Sequence, residues 1–521
     1  MGFSVSLFRR KLKRETPTQS PDSESPIDHP TNISSPSLQE RIQSRSVLRN
    51  SLLLLGFHVL TKLLAFVSFI LLANYLGTQL FGIYNYSFAL AALFIPLCDL
   101  GMDTYLMREV PRLSADQIPR QLGAALVWKG FLTFLVFIAL SITVSVLDSF
   151  GSERFFVVAL AGLVTLLRTY WTTFGSLFRA MNRVSYETGL LSLARVAEFT
   201  VIVLSVWFDT GLLPLLSVLG LVNLASVAAT YVLVRVRFTH PTLQQDFNFM
   251  LTMLKGGLPF ALTTIFTSVY FNFDTVLVAK FISDEAAGIY RAAYNLILPL
   301  MMITAAVSGA VFPFVSQSYG NYKEDVARVL ERSATLLLMI ALPVAVITTF
   351  LSGEIIALLF APEYAPAAIC LSILVWFIPV VYLTNLFGNS LGAMDQQRFV
   401  LKVTTVNVIF NVVANLIIIP HYAQVGASIT TVLTEILGLS FLHTRMRKEI
   451  QRPVALKSLA RICLANLAVV LFLIMRPELH VLLLMSACVI IYGAVLFLVR
   501  GITTEDLREL VSVVRANPPT V

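Results

Sequence analysis

The chain has 521 residues, of which 57% are hydrophobic and only 13% are charged, and its formal net charge is +8. A soluble chain carries about 25% charged residues, so most of this surface is expected to face something other than water. In a soluble protein this basic excess would suggest nucleic-acid binding, but here the Lys and Arg residues lie in short loops between apolar runs, where they set the topology. The four cysteines lie inside apolar runs without C-x-x-C spacing, which argues against a disulfide framework or a zinc site.

Residues 1–45 are rich in Ser, Pro, Thr and charged residues and show no apolar period. Such a composition cannot bury a core, so it predicts a disordered tail. At the other end, residues 501–521 are polar again and repeat apolar side chains at helical spacing. They predict a short amphipathic helix at the membrane surface.

About fourteen apolar runs lie between these ends, and each is long enough to cross the hydrocarbon core as a helix. They are residues 50–74, 82–106, 121–147, 155–176, 186–208, 212–234, 257–279, 286–314, 333–353, 366–392, 400–420, 424–442, 459–475 and 480–499. The sequence therefore predicts an all-α integral membrane protein with about fourteen transmembrane helices.

The basic residues of the loops predict an orientation. If the N-terminus is inside, the inside loops contain 19 Lys and Arg residues, whereas the outside loops contain only Arg154, Lys280 and Arg476. Lys and Arg accumulate in short cytoplasmic loops. We therefore expect a cell-membrane protein with both termini in the cytoplasm.

An internal repeat divides the helices into groups. Residues 72–90 and 278–296 align without a gap at an offset of 206, and Gly82-Ile83-Tyr84 matches Gly288-Ile289-Tyr290. The offset spans six helices, so parallel repeats around an axis along the membrane normal are expected. We predict one six-helix lobe in residues 46–240, a second in 241–445, and two additional helices in 446–500. The repeated glycines are expected to allow tight turns.

Several short motifs carry a family resemblance. They are Leu76-Gly77-x-x-x-Phe81-Gly82-x-Tyr84, Asp99-x-Gly101 with Arg108, Gly288-x-Tyr290-x-x-Ala293, Asn411-x-x-x-Asn415, Pro420-x-Tyr422 and Gly426-Ala427. With their order and spacing, residues 46–500 resemble the polysaccharide-biosynthesis lipid flippases of the multidrug/oligosaccharidyl-lipid/polysaccharide exporter superfamily. Ala423 departs from the glycine that often follows the tyrosine in that family. The resemblance implies a flippase for polyprenyl-pyrophosphate-linked sugars, with two lobes around a cavity that opens alternately to each side.

Ionisable residues at bilayer depth are costly and usually face a cavity or a partner. A pyrophosphate needs cationic binders, and the first lobe offers four intramembrane cations as candidate substrate-binding residues. They are Lys62, Lys129, Arg168 and Arg195. The structural alternative is that Arg195 pairs with Glu198 at i, i+3, that Lys62 snorkels or pairs across helices, and that Lys129 lies merely near a helix end.

The second lobe offers candidates for ion coupling or gating, to which Glu198 is added from the first. Asp274 and Glu435 are the candidates for taking up a proton or sodium ion, since a carboxylate can bind either. Asp274 could instead pair with Lys280 or Arg291 as an outer gate. A structural tie between helices is the other alternative for these carboxylates.

No nucleotide-binding P-loop and no hydrolase or metalloprotease motif occurs, so the sequence predicts neither an enzyme nor a cofactor. The expected partners are a lipid-linked oligosaccharide, membrane lipids, and the glycosyltransferases and polymerase of the same pathway, with no nucleic acid. Three rival functions remain: a proton- or sodium-coupled multidrug exporter, a non-transporting scaffold of a glycan-assembly complex, and a glycosyl-transferring enzyme.

Overall fold

A computed structural model describes residues 38–114, 116–148, 150–242, 247–450, 453–475 and 479–499. The part of the tail before residue 38 and the amphipathic segment 501–521 lie outside the described residues. The described residues form helices and no strands, which confirms the all-α class. Within the described residues, twelve helical spans are long and apolar enough to cross a membrane, with Asp284–Ser318 and Ala367–Ala393 counted as one span each.

We call residues 46–240 the first half and residues 241–445 the second half. The first half contains α1 (Leu38–Asp99), α2 (Met102–Glu109), α3 (Ile118–Asp148), α4 (Glu153–Ala180), α5 (Val184–Trp207) and α6 (Leu212–Arg237). The second half contains α7 (Phe247–Phe281), α8 (Asp284–Ile297), α9 (Met301–Ser318), α10 (Lys323–Phe350), α11 (Ser352–Leu359), α12 (Ala367–Leu374), α13 (Phe377–Ala393) and α14 (Gln397–Glu449). The additional helices are α15 (Leu456–Ile474) and α16 (Val481–Leu498), which pack against α10.

The helix α1 is a hairpin, because Gly77 has a non-helical backbone with φ 68° and ψ 173°. The arms before and after Gly77 lie side by side, and the ring centroids of Phe69 and Phe81 are 5.7 Å apart. A straight helix would separate these residues by about 18 Å.

The helix α14 reverses in the same way at Ala423, where φ is 50° and ψ is −136°. Beyond the reversal the chain returns along itself, so that Asn411 Nδ2 donates to Thr434 Oγ1 at 3.2 Å. A straight helix would place these residues about 35 Å apart. If each hairpin crosses the membrane twice, the twelve spans give fourteen crossings, and that count stays a prediction.

Several helix boundaries differ from the predicted runs. The predicted run 286–314 is split into α8 and α9 by a turn at Leu298–Leu300, because Pro299 lacks the N–H that a continuous helix needs. The predicted run 82–106 is broken after Asp99, where Leu100 and Gly101 adopt positive φ angles of 44° and 80°.

Two further boundaries reflect the limits of an apolar-run criterion. The helix α1 begins at Leu38, before the predicted boundary at residue 46, since the sequence Leu-Gln-Glu-Arg favours a helix although it is not apolar. The helix α11 occupies the predicted loop between the runs 333–353 and 366–392. It is apolar but far too short to be recognised as a membrane span.

The backbones of the two halves approach each other closely where the repeated glycines meet. A Cβ atom on Gly82 would lie 1.8 Å from the carbonyl oxygen of Asp284, and a Cβ on Gly288 would lie 2.1 Å from that of Thr78. Thr78 and Asp284 are themselves separated by the repeat offset of 206, so the contact is reciprocal. Both glycines lie inside helices, so the expectation that they form tight turns is wrong: they let two backbones cross without side chains.

Alanine at Gly82 should destabilise the protein, because the opposing atom is a backbone carbonyl and moves only if the helices separate. We expect a loss of about 1–3 kcal/mol, typical of overpacking, measured as a lower Tm in detergent. Gly309→Ala in α9 is the control, since nothing lies within 4 Å of its added Cβ. It should leave Tm unchanged or raise it, and equal losses in both variants would contradict the close crossing.

Glycine at Ala423 should stabilise the protein, because the φ of 50° strains an L-residue. A gain of about 1 kcal/mol is expected after the entropic cost of glycine. Ala427→Gly, in a buried helical position of the same element, should lower Tm instead. A lower Tm for Ala423→Gly would show that the reversal at this residue is not strained.

Candidate functional site: a charged cavity between the halves

A cavity of about 510 Å³ lies between the two halves. The second arm of α1 contributes Asn85 and Phe88 to its wall, and the second half contributes Thr264, Asn272 and Arg291. Its size is within the range of small-molecule binding sites. Because both halves line it, its shape depends on how they are placed relative to each other.

One face of α4 forms another wall of this cavity. Thr165, Arg168, Thr169 and Thr172 share that face, since they are three or four residues apart. The Arg168 side chain is 33% exposed, and its guanidinium carbon lies 5.7 Å from the Phe88 ring centroid. Arg168, one of the predicted cations, therefore lies in the cavity wall beside the threonines of the same helix face.

Glu198 joins two of the predicted cations. Its Oε1 pairs with Arg168 Nη2 at 2.7 Å, and its Oε2 pairs with Arg195 Nη1 at 2.7 Å. Asn223 Nδ2 also donates to Oε1 at 3.0 Å. The cluster holds the Arg168 guanidinium in place and keeps one net positive charge beside the cavity. Asn223, on α6, is a member that the sequence analysis missed.

Lys129 lies behind the cavity wall rather than in the cavity, and only 1% of its side chain is exposed. Its ammonium donates to Asp103 at 2.9 Å, to Asp99 at 3.2 Å and to Thr173 at 2.7 Å. Asp99 and Asp103 line the cavity themselves. This part of the wall is therefore acidic, and the ammonium balances its charge from behind.

Lys62 is exposed on the first arm of α1, apart from the residues that line this cavity. The neighbouring Thr61 hydroxyl lies 3.2 Å from that of Ser192 on α5, one turn from Arg195. Lys62 and Arg195 thus lie on adjacent packed helices, and both are accessible at the surface of the described residues.

Asp274 and Glu435 are both buried in the second half. Tyr290 Oη donates to Asp274 at 2.5 Å, and Tyr270 Oη donates to Glu435 at 2.5 Å. Tyr290 was recognised from the sequence only as part of a repeated motif, and Tyr270 was not singled out. Within the described ranges, the second oxygen of Glu435 has no hydrogen-bond partner. An incompletely satisfied buried carboxylate is suited to taking up a proton or a cation.

The outer-gate alternative would pair Asp274 with Lys280 or Arg291, but the structure gives both of these residues other partners. Lys280 pairs with Asp148 of the first half. Arg291 donates through Nε to Thr275 Oγ1 at 2.6 Å, and it lines the cavity. The structure thus brings Arg291 together with Arg168 around one cavity. In the described part of the chain, no group of three or more His, Cys, Asp or Glu side chains is placed to hold a metal ion.

The family model described as polysaccharide biosynthesis protein matches residues 47–319, slightly more than half of the chain. The chain belongs to this family. A second model, described as MatE, matches residues 259–417. The resemblance carried by the sequence motifs is thereby confirmed, and the protein is a multi-pass membrane protein.

Curated relatives are similar over different lengths. The probable flippase AglR of Haloferax volcanii is 27% identical over 251 residues, which are 46% of this chain and 52% of AglR. The chain therefore spans about half the length of AglR, and it spans 34% of the probable low-salt glycan biosynthesis flippase Agl15 of the same organism. The putative O-antigen transporter of Shigella flexneri is 23% identical over 77% of this chain and 98% of its own length.

Solved structures share the fold. The lipid II flippase MurJ in an inward closed conformation has a TM-score of 0.72 at 15% identity, covering 88% of this chain and all of that one. An inward-facing multidrug resistance MATE family transporter of the MOP superfamily has a TM-score of 0.61 at 12% identity, covering 75% and 96%. At these identities the likeness shows the architecture alone.

Proposed function

We propose that this member of the polysaccharide biosynthesis family is a flippase. It would move a polyprenyl-pyrophosphate-linked oligosaccharide across the cytoplasmic membrane by alternating access, with both termini in the cytoplasm, and it would transport rather than catalyse. Relatives named as flippases and as an O-antigen transporter support this assignment. The two halves would act as lobes that rock about the cavity between them.

One observation carries the proposal: Arg168 and Arg291, from opposite halves, line the same cavity. A pyrophosphate cannot enter the hydrocarbon core unaided, because desolvating its charge is too costly. Guanidinium groups bind phosphate oxygens through paired, charge-assisted hydrogen bonds. An anion between these two arginines would draw the lobes together, so that binding favours one conformation.

The other predicted cations take separate roles in this proposal. Arg195 and Glu198 orient Arg168, and Lys129 holds the acidic wall formed by Asp99 and Asp103. Lys62, exposed beside α5, would meet the anionic headgroup before it enters the cavity.

The buried carboxylates of Asp274 and Glu435 would couple transport to a proton or sodium ion. Tyr290 links Asp274 to α14, because its Oη donates to Asp274 and lies 3.4 Å from Thr431 Oγ1. Thr431 is one helical turn before Glu435. Loading one carboxylate would therefore change hydrogen bonds between α7, α8 and α14. Such a change biases how these helices pack.

A multidrug exporter is the second candidate, because the MatE family model matches residues 259–417. The two candidates differ in what the cavity must bind. The pair of arginines favours a concentrated anion, whereas a cationic or neutral drug gains nothing from it.

Reconstitution with a fluorescent polyprenyl-pyrophosphate sugar tests the proposal, with its movement between leaflets as the readout. Wild-type protein should move the lipid, and Arg168→Gln should slow it by about tenfold or more, because the charge-assisted hydrogen bonds to phosphate are lost. Arg179→Gln is the matched control on the same helix, since Arg179 is exposed and pairs with Glu187. It should keep the wild-type rate.

Two results would contradict the proposal. If wild-type protein moves no lipid but exchanges protons or sodium ions when a drug is added, the multidrug function is supported instead. If both arginine variants lose activity equally at the same protein level, the cavity has no special role.

A further inference from the structure

The two halves are joined on the predicted outside face by a set of hydrogen bonds, which we call the outer clasp. It connects residues 73–78, at the turn of the α1 hairpin, with residues 359–364 of the second half. The Asn74 side chain acts as both donor and acceptor: its Nδ2 donates to Leu359 O at 2.8 Å, and its Oδ1 accepts from Ala361 N at 2.7 Å. Tyr364 Oη donates to Ala73 O at 2.8 Å.

Glu363 provides a helix cap across the two halves. Thr78 begins the second arm of α1 after the non-helical Gly77, so its N–H has no partner within the helix. Glu363 Oε1 accepts that N–H at 3.1 Å. A carboxylate also interacts favourably with the positive N-terminal end of a helix. The second half thus completes a helix of the first.

Charged residues join the halves near the same face. Asp148, with 1% of its side chain exposed, pairs with Lys280 of the second half and with Arg154 Nε at 2.7 Å. Arg154 Nη1 in turn pairs with Asp284 of the second half at 2.6 Å. Tyr86 Oη donates to Asp148 at 2.9 Å.

Along the second arm of α1, the glycine crossing lies between the outer clasp and the cavity. In the second arm of α1, the order is the turn at Gly77, the crossing at Gly82 and the cavity-lining Asn85. On the predicted inside, the halves meet through another pair of glycines, where a Cβ on Gly101 would lie 2.1 Å from Gly257 O. Glycine packing therefore joins the halves on both sides, and on the predicted outside the outer clasp adds hydrogen bonds to it.

We propose that the outer clasp is the outside gate of the transport pathway, with Glu363 as the residue that holds it shut. This inference rests on the proposed function, because only a transporter requires the halves to part on this side. The two Asn74 bonds of the clasp are exposed, so water can replace them at small net cost when the halves part. Opening would remove the Glu363 cap and the Asn74 contacts together.

Access to the cavity from outside tests the gate without any transport assay. Ala92 lines the cavity, so Ala92→Cys in a Cys463→Ser background places a reporter there; the other native cysteines are buried. A membrane-impermeant thiol reagent is added to the outside of oriented vesicles. Glu363→Ala should raise the labelling rate roughly fivefold, the effect of losing one net hydrogen bond, and Asn74→Ala, which removes two, should raise it by more.

Two variants serve as controls. Glu363→Gln keeps an acceptor oxygen and should label at nearly the unmodified rate. Glu354→Ala removes an exposed carboxylate from α11 of the same outside segment and should leave the rate unchanged. The same variants without the Ala92→Cys reporter should stay unlabelled. If Glu363→Ala is labelled without the reporter, because unfolding exposes its buried cysteines, the labelling rate of Asn74→Ala is used instead.

Unchanged labelling in both Glu363→Ala and Asn74→Ala would overturn the gate, as would equal increases in Glu363→Gln and Glu354→Ala. Because the readout is accessibility, it separates the two claims. If the protein moves no lipid but the variants show the expected labelling, the proposed function is contradicted and the gate is supported. If the protein moves lipid but labelling is unchanged, the function is supported and the gate is contradicted.

Discussion

The close crossing of Gly82 and Gly288 is the constraint on which the rest of the structure depends. Each glycine faces a backbone carbonyl of the opposite half, so no side chain fits at either position. The crossing fixes the spacing of the second arm of α1 and α8, and these two elements carry Asn85 and Arg291 into the cavity. The placement of these cavity walls relative to each other therefore depends on one backbone contact.

Charge at bilayer depth is the second constraint, and the protein meets it by pairing. Lys129 is enclosed by carboxylates, and Arg195 shares Glu198 with Arg168. The cavity wall then presents the partly exposed guanidinium of Arg168 and Arg291 of the other half, together with the carboxylates of Asp99 and Asp103. The pairs that surround these arginines keep them oriented, which is why removing a partner and removing the arginine should have different consequences.

Much of the fold could be predicted, since apolar runs and loop charges depend only on local sequence. The i, i+3 spacing of Arg195 and Glu198 is likewise enough to indicate their ion pair. The pairing of Lys129 with Asp103 joins separate helices, and no local period gives the rotation of one helix against another. The repeated glycines were recognised from the alignment, but their role was mistaken, because a sequence shows that a side chain is absent and not what occupies its place.

The proposed transport requires the two halves to move as two bodies around the cavity. Spin-label distances across the halves test this most directly, with Phe150→Cys and Glu354→Cys as the outside pair and Val236→Cys and Lys402→Cys as the inside pair, all exposed positions. Adding a polyprenyl-pyrophosphate oligosaccharide should shift the two distances in opposite directions. Distances that stay fixed, or that change together in the same direction, would contradict alternating access between the halves.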